Sequence, residues 1–361
     1  MVMNIRQLTN VFLFVFSFLF FPCMEDEPFK LEYQGFAPKQ INDGWLLSTP
    51  EKENVNREQL ENVFNIVYKE DRFKLIRSVI IVRNGEIIAE SYPHDPNDIY
   101  KIQNIKSAAK SFTSICTGIA LQNKYLESTS QKFSDIFPEY FTKYPDKKEI
   151  TIKNALTMQT GLYYTDEDHN YDFYFSDNIV DYILSSPLNG PPGNIFFYSD
   201  DNPTLISYAI QRKFGKSLGE FANEFLFVPL GITDWKWETS KDGVSFGGTN
   251  LYLKPRDMAK FGQMLLQNGK WNGQQIVDSL WIAEATKAQY SETYWAYGYL
   301  FWILKDLKAY DAAGHGGQEI IVVPSKNLVV VVTAWPYITD TEWLRDNFTG
   351  TLLKNIISAC Y

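Results

Sequence analysis

The sequence predicts a mixed α/β (α+β) fold, in which helices flank an antiparallel sheet and a mostly helical insertion interrupts that sheet. Three observations predict it: a hairpin pattern near residue 84, a middle stretch without long strands, and a return to β-branched apolar runs in the last hundred residues. A sheet built from both ends of the chain, with helices packed on it, accounts for that order.

The first helix and hairpin follow from two local patterns. Leu60, Val63, Phe64 and Val67 recur at helical spacing and predict an amphipathic helix over 54–70. Beyond it, apolar runs at 78–82 and 87–89 flank Asn84-Gly85. Both turn residues tolerate positive φ, so the pattern predicts a tight hairpin.

The middle of the chain reads as helical. Residues 105–122 are apolar on most faces and predict a buried helix, and shorter patterns predict helices over 178–186 and 203–214. We expect Asn202 to cap the last of these, with Pro203 in its first turn. A further helix begins at Pro255 and ends at Asn268-Gly269.

The last hundred residues return to strands. We expect one strand over 297–304 and a second hairpin formed by 320–323 and 328–333. The two strands of this hairpin are continuous β-branched runs, so we expect them to be buried on both faces of the sheet. The apolar residues that predict a closing helix are Trp343, Leu344, Leu352, Leu353 and Ile356.

The predicted domain organisation follows from these elements. Residues 51–125 and 251–361 form the α/β domain, 126–250 a helical domain, and 24–50 a linker or N-terminal tail.

The N-terminus has the pattern of an export signal over residues 1–23. Arg6 precedes an apolar run at 11–21, which is too short to span a bilayer but suits a signal-peptide core. Cys23 follows, then three acidic residues, and a cysteine in that place is a candidate for lipid attachment. We therefore expect an exported protein, periplasmic or anchored to the membrane as a lipoprotein through Cys23.

Charge and residue composition argue against nucleic acid and metal ions as ligands. The formal net charge of −9 argues against nucleic acid, which needs a basic surface. The three histidines show no clustered spacing with other ligands, so we expect no metal and no cofactor. Cys116 lies in an apolar helical stretch and is interpreted as a core residue.

Ser107-Ala108-Ala109-Lys110 places a hydroxyl and an amine on one face of the predicted buried helix. A serine hydroxyl becomes a good nucleophile only when a neighbour takes its proton. A lysine can do so once its pKa falls, and burial in this helix is expected to lower the pKa of Lys110. Taken alone, the motif favours an ordinary helix start with a solvated lysine.

Two further motifs indicate that Ser107-x-x-Lys110 is part of an active site. Tyr198-Ser199-Asp200 precedes a predicted helix, and His315-Gly316-Gly317 precedes a predicted strand. Together with Ser107-x-x-Lys110 they resemble the active-site motifs of the serine β-lactamase and penicillin-binding superfamily. The likeness is greatest to its class C-like branch of esterases, D,D-carboxypeptidases and nylon-oligomer hydrolases. The run 156–162 is also typical of that family, and the resemblance extends over about 75–335 and implies a β-lactamase-like fold.

The resemblance implies a role for each motif residue. Ser107 is acylated, Lys110 takes its proton, and Tyr198 returns a proton to the leaving group. The N–H groups of Ser107 and Gln318 form the oxyanion hole, in which one donor is typically worth about 3 kcal/mol at the transition state.

The remaining motif residues are assigned to substrate binding. His315 lines the cleft, and Gly316 and Gly317 keep the adjoining strand bare, so that substrate lies along it. Asp200 stands where the family usually has Asn.

The sequence leaves three functions open. The first is hydrolysis of small esters or amides, because Asp200 in place of Asn and His315 in place of Lys both disfavour a substrate carboxylate. The second is a D,D-peptidase or β-lactamase acting on cell-wall peptides or β-lactams. The third is a non-catalytic protein that binds penicillin or peptidoglycan.

Overall fold

The computed structural model describes residues 30–164, 172–336 and 348–361. The predicted signal segment with Cys23, and the part of the predicted closing helix at Trp343 and Leu344, lie outside these residues. Within them, no helix is long and apolar enough to cross a membrane, and no group of His, Cys, Asp or Glu side chains is arranged to hold a metal ion.

The described residues contain eleven α-helices and fourteen strands. The helices are α1 Arg57–Lys69, α2 Ala109–Gln122, α3 Phe133–Ile136, α4 Ile152–Leu156, α5 Asp172–Phe175, α6 Ile179–Ser185, α7 Asp201–Phe214, α8 Leu218–Ala222, α9 Pro255–Leu266, α10 Ser279–Ala285 and α11 Lys354–Ala359. The strands are β1 Leu46–Leu47, β2 Ile76–Arg83, β3 Glu86–Ser91, β4 Gln103–Asn104, β5 Lys236–Trp237, β6 Leu251–Leu253, β7 Lys270–Trp271, β8 Gln274–Gln275, β9 Tyr290–Ser291, β10 Ala296–Tyr297, β11 Trp302–Leu304, β12 Ala309–Gly314, β13 Gln318–Val323 and β14 Leu328–Ala334.

A nine-stranded sheet in the order β1-β3-β2-β14-β13-β12-β11-β10-β9 dominates the fold. Every neighbouring pair is antiparallel except β1 with β3. Because β14 pairs with β2, strands from both ends of the chain meet in the middle of the sheet. The predicted fold class, an antiparallel sheet with flanking helices, is confirmed.

Both predicted hairpins are present, and their turns have the expected backbone. Asn84 and Gly85 have φ of 53° and 89° between β2 and β3. Asn327 has φ of 48° where the second hairpin enters β14. Such left-handed values match the twist of a two-stranded ribbon and favour Asn and Gly.

The sheet is covered on both faces. Alternate residues of β14 enter two separate cores: Val329 and Val331 pack with α2 and α9, whereas Val330 and Val332 pack with α1 and α11. The predicted burial of these strands on two faces is confirmed, and it explains why their sequences lack a polar alternation.

One predicted strand is wrong. The run 297–304 is divided into β10 and β11, which pair antiparallel to each other. Gly298 passes so close to α10 that an added Cβ would lie 2.1 Å from the carbonyl oxygen of Ala285, and Leu300 has φ of 61°. Packing against α10 therefore forces a tight turn within a run whose composition favours a continuous strand.

The segment around residue 45 does not behave as a separate linker. Leu46–Leu47 forms β1 at one edge of the sheet, and the buried Arg256 guanidinium bonds the carboxylates of Asp43 and Glu90. Between 126 and 250, the described residues contribute helices and the short strand β5. The domain boundaries themselves stay a prediction.

Candidate active site

Ser107 lies at a sharp turn between β4 and α2. The turn Lys106–Ala108 is a short 3₁₀ segment that leads directly into α2. Lys106 has φ of 51°, an unusual value for a residue with a side chain, and its N–H donates to Asn104 Oδ1 at 2.9 Å. Strained backbone of this kind is concentrated at functional sites. Here it holds a partly exposed serine at the start of a helix whose next residues are all buried.

Lys110 is enclosed, and its ammonium group has three acceptors. Its Nζ donates to Ser107 Oγ at 3.0 Å, to the carbonyl oxygen of Gly248 at 2.9 Å, and to Asp200 Oδ1. Only 1% of its side chain is exposed. Three acceptors match the three protons of an ammonium group, so the geometry is that of a charged lysine in contact with Ser107.

The electrostatics of Lys110 correct one expectation. Burial alone would lower its pKa, as the sequence predicted, but the carboxylate of Asp200 and, to a smaller degree, the neighbouring Tyr198 outweigh burial and raise the pKa above its ordinary value. The apolar pattern of the helix gives no sign that Asp200 is the ion-pair partner of the lysine.

The same ion pair changes the interpretation of Asp200. From sequence, its negative charge was expected to repel a substrate carboxylate unless it was paired. The carboxylate is paired with Lys110, and 20% of its side chain is exposed. The two charges offset each other, so Asp200 contributes much less repulsion than an isolated carboxylate would.

Tyr198 lies beside the lysine. The centroid of its ring is 4.7 Å from Lys110 Nζ, and the ring packs on Tyr297 and Trp302. A cation over an aromatic face is an attractive arrangement. The structure therefore brings Ser107, Lys110 and Tyr198 together around one ammonium group.

The run 156–162 holds the Tyr198 segment in place. The Phe197 N–H donates to the Met158 carbonyl at 2.7 Å, and the Thr160 hydroxyl bonds Asn202 Oδ1 at 2.7 Å. Asn202 lies inside α7, with Asp200 at the N-cap position, so the predicted capping role of Asn202 is wrong. Its side chain instead ties α7 to the 156–162 run.

The third motif forms the turn between β12 and β13. His315 is exposed, and Gly316 and Gly317 have φ of 84° and 87°. An added Cβ on Gly316 would also lie 2.7 Å from the Trp335 carbonyl oxygen. The left-handed backbone of the turn favours glycine at both positions, and close packing requires it at Gly316. The role of these glycines in substrate binding stays a prediction.

The end of this hairpin packs directly on the Ser107 turn. A Cβ on Gly314 would lie 2.2 Å from the Ile105 carbonyl oxygen and 3.1 Å from the Ala108 nitrogen. Opposite Gly314, Gln318 begins β13, and its buried side chain donates to the Ala334 carbonyl at 2.8 Å. This packing places the backbone of Ser107 and Gln318 on adjacent segments, as an oxyanion hole shared between them requires.

Gly247 and Gly248 are site residues that the sequence reasoning missed. The Gly248 carbonyl accepts a hydrogen bond from Lys110, and the Gly247 carbonyl accepts one from the Thr113 hydroxyl at 2.6 Å. Both lie between α2 and α7, where the available space is small. The adjacent glycines were the one available signal, but without the fold nothing connected them to a lysine so far away in sequence.

Substitution of these two glycines is expected to separate stability from activity. A methyl on Gly247 would lie 2.1 Å from the Pro203 carbonyl oxygen, so Gly247→Ala is expected to cost about 1–3 kcal/mol of unfolding free energy. A methyl on Gly248 would lie 2.6 Å from Asp200 Oδ1 and displace the carboxylate that holds Lys110. That displacement also moves the Lys110 ammonium group away from Ser107 Oγ, whereas Asp200→Asn keeps the geometry and removes only the charge. We therefore expect Gly248→Ala to lower kcat/KM about tenfold to a hundredfold. Thermal unfolding and ester hydrolysis measured on both variants test this. A fully active Gly248→Ala variant would contradict the account of the site.

Comparison with known proteins agrees with this geometry. The sequence model of the family described as beta-lactamase matches residues 77–335, which is more than half of the chain. A protein of Bacillus subtilis (strain 168) named as a penicillin-binding protein, PbpX, is 25% identical over 235 residues, which cover 56% of this chain and 58% of that protein. The chain thus matches little more than half the length of that relative.

Solved structures share the fold at low sequence identity. A chain from Bacillus anthracis named as a 6-aminohexanoate-dimer hydrolase has a TM-score of 0.71 at 19% identity, covering 91% of this chain and 90% of that one. A family VIII carboxylesterase has a TM-score of 0.67 at 17% identity, covering 87% and 98%.

The resemblance inferred from the three motifs is confirmed by the family match. Together with the nine-stranded sheet, it establishes that the chain belongs to the beta-lactamase family, within the superfamily of serine β-lactamases and penicillin-binding proteins.

Proposed function

We propose that this protein is a serine hydrolase that forms an acyl-enzyme through Ser107 and hydrolyses small esters or amides. The observation that carries the proposal is the contact of Lys110 Nζ with Ser107 Oγ at 3.0 Å inside a buried ion pair with Asp200. A nucleophile within hydrogen-bond reach of a base, with a third group holding that base, is the arrangement that activated serines share.

The proposed reaction has two halves. Lys110 first loses a proton to solvent, and its neutral amine then takes the Ser107 proton while Oγ attacks the carbonyl carbon. Collapse of the tetrahedral intermediate breaks the bond to the leaving group, which takes the proton of the Tyr198 hydroxyl. Lys110 passes the proton from Ser107 to the Tyr198 oxygen and is again a neutral amine. Water, deprotonated by the same groups, then attacks the acyl-serine, releases the acid and restores the Ser107 hydroxyl.

Two backbone N–H groups are proposed to stabilise the oxyanion of both intermediates. Those of Ser107 and Gln318 are suited to the role, since the β12–β13 hairpin and the Ser107 turn pack without a side chain between them. His315, exposed at the tip of that hairpin, is proposed to contact substrate rather than to take part in proton transfer.

Substrate choice is proposed to depend on the charge of this tip. A lysine at this position would add a permanent positive charge that attracts a substrate carboxylate, and His315 does not supply one. Asp200 is already paired with Lys110. The charge at position 315 is therefore the main feature by which the site would distinguish neutral from carboxylate-bearing substrates.

We expect neutral ester hydrolysis to exceed β-lactam hydrolysis by about a hundredfold or more in kcat/KM, since a few kcal/mol of missing carboxylate binding has that effect. His315→Lys should raise nitrocefin turnover relative to p-nitrophenyl butyrate. Asp200→Asn is the comparison variant. Because the charge that it removes is already paired with Lys110, it should change the ratio of nitrocefin to p-nitrophenyl butyrate turnover less than His315→Lys does. Faster hydrolysis of nitrocefin than of p-nitrophenyl butyrate by the unsubstituted protein would refute this.

A D,D-peptidase acting on cell-wall peptides is the second candidate. The Bacillus subtilis relative named as a penicillin-binding protein favours it. Release of D-alanine from a D-alanyl-D-alanine peptide at a rate above that of ester hydrolysis would replace the first proposal with this one.

A further inference from the structure

We propose that the aromatic surface beside Tyr198 binds an aryl group on the leaving side of the substrate. The inference rests on the proposed function, because it uses the role of Tyr198 in proton transfer to the leaving group. The surface, here called the aromatic wall, consists of Phe196, Tyr290, Trp295 and Trp302.

The aromatic wall is continuous with the proposed active site. The ring centroids of Tyr198 and Trp302 are 5.5 Å apart, and those of Trp302 and Trp295 are 5.7 Å apart. Trp295 in turn lies 5.0 Å from Phe196 and 5.6 Å from Tyr290. A line of ring contacts therefore leads from Tyr198, whose ring lies against Lys110 Nζ, to the edge of the sheet, where β9 and β10 lie.

Two surface cavities adjoin this wall. One of about 530 Å³ is lined by Trp295 and Trp302, and another of about 390 Å³ by Phe196, Tyr290 and Trp295. Tyr294, which lines both, is 93% exposed. The four rings of the wall are themselves partly buried, and partly buried aromatic side chains around a concave surface are typical of ligand sites.

The charges around the cavities favour a neutral ligand. Lys305 and Lys354 line the larger one together with Asp306, and Glu292 lines the smaller one. Over the two cavities together, two basic and two acidic side chains cancel, so the surface as a whole has no net charge that would attract an ion. Ring faces and edges instead suit a flat aryl group, which can stack on Trp295 and Trp302.

The position of the wall selects the leaving group. The atom that Tyr198 protonates is the oxygen or nitrogen of the leaving group, so whatever is attached to that atom lies nearest to the rings packed on Tyr198. Trp302 packs directly on Tyr198, and Trp295 packs on Trp302. The preferred substrates are therefore esters or amides of an arylmethyl alcohol or amine.

A pair of esters with the same acyl group tests the inference. Benzyl acetate and ethyl acetate give the same acetyl-enzyme, so any difference in kcat/KM reports binding and acylation alone. We expect benzyl acetate to be favoured about tenfold or more, which corresponds to about 1.4 kcal/mol. Ethyl phenylacetate, with its ring on the acyl side, should show no such advantage over ethyl acetate.

Variants of the surface locate the effect. Trp295→Ala should remove most of the benzyl preference, measured as the ratio of kcat/KM for benzyl acetate to that for ethyl acetate. Tyr294→Ala, at a 93% exposed position, gives a second variant in which folding is not at risk. Tyr361→Ala, at a 76% exposed tyrosine at the C-terminus, is the matched control and should have no effect.

The possible failures are distinguishable. Hydrolysis of both acetates without a benzyl preference, or a preference that survives both Trp295→Ala and Tyr294→Ala, would overturn the inference and leave the proposed hydrolase intact. Absence of hydrolysis together with absence of probe labelling at Ser107 would overturn the proposed function and this inference with it.

Discussion

Replacement of Ser107 by alanine is expected to lower ester kcat/KM by about 10⁴-fold or more, since removal of a nucleophile leaves only the contribution of binding and the oxyanion hole. The protein should remain folded. Ser107 is partly exposed, and Lys110 keeps its contacts with Asp200 and Gly248 when the hydroxyl is lost. We expect the free energy of unfolding to change by no more than about 1 kcal/mol.

Ser111 provides the matched control for this substitution. It lies one helical turn further along α2, is buried, and donates to the Leu300 carbonyl at 2.6 Å. Ser111→Ala should cost about 1–3 kcal/mol of stability, because it leaves a buried carbonyl without its partner, yet keep substantial hydrolysis. An active Ser107→Ala variant combined with an inactive but folded Ser111→Ala variant would move the nucleophile to Ser111.

Replacement of Asp200 by asparagine is expected to move the pH dependence of kcat/KM towards lower pH. Lys110 acts as a base only after losing a proton, so activity should rise with pH until Lys110 is neutral. The carboxylate of Asp200 holds the pKa of Lys110 above its ordinary value. Without that charge, burial dominates and the pKa falls. The neutral fraction at pH 7 then increases, and we expect kcat/KM there to rise with it.

The test is a pH–rate profile of both proteins with one neutral ester. Asp234→Asn is a suitable control, because Asp234 pairs with Lys254 at 3.1 Å on the surface and should leave the profile unchanged. An Asp200→Asn profile that coincides with that of the unsubstituted protein would show that Lys110 is not the base whose titration limits the reaction. A profile displaced to higher pH would contradict the electrostatic argument itself.

Much of the fold could be predicted because its elements have strong local signals. The helix expected over 54–70 is α1 at Arg57–Lys69, and the helix expected from Pro255 is α9 at Pro255–Leu266. Asn84-Gly85 placed the first hairpin correctly, because only a few residues adopt the backbone of such a turn. In each case the signal lies within a dozen or so residues.

The errors in the fold come from long-range packing. β12, at Ala309–Gly314, was not predicted, since its three alanines and one buried aspartate give no strand pattern. It becomes a strand because β11 and β13 pair with it on both sides. The break at Gly298 depends in the same way on the position of α10, which no local pattern reveals.

In the candidate active site, too, the features with a local signal could be predicted and those that depend on long-range packing could not. The spacing of Ser107 and Lys110 predicted their contact, because a helix brings residues three apart onto one face. The role of Asp200 required the fold, since its carboxylate reaches Lys110 from the start of a different helix. Gly247 and Gly248 matter only because α2 and α7 approach each other at that point.

The measurement that tests the central claim most directly is identification of the residue that becomes covalently modified. The full chain is treated with a fluorophosphonate probe or a slowly hydrolysed ester, digested, and examined by peptide mass spectrometry. The account predicts one adduct, on the peptide that contains Ser107, absent from Ser107→Ala and present in Ser111→Ala. An adduct on any other serine, or a folded protein that hydrolyses esters without modification at Ser107, would contradict it.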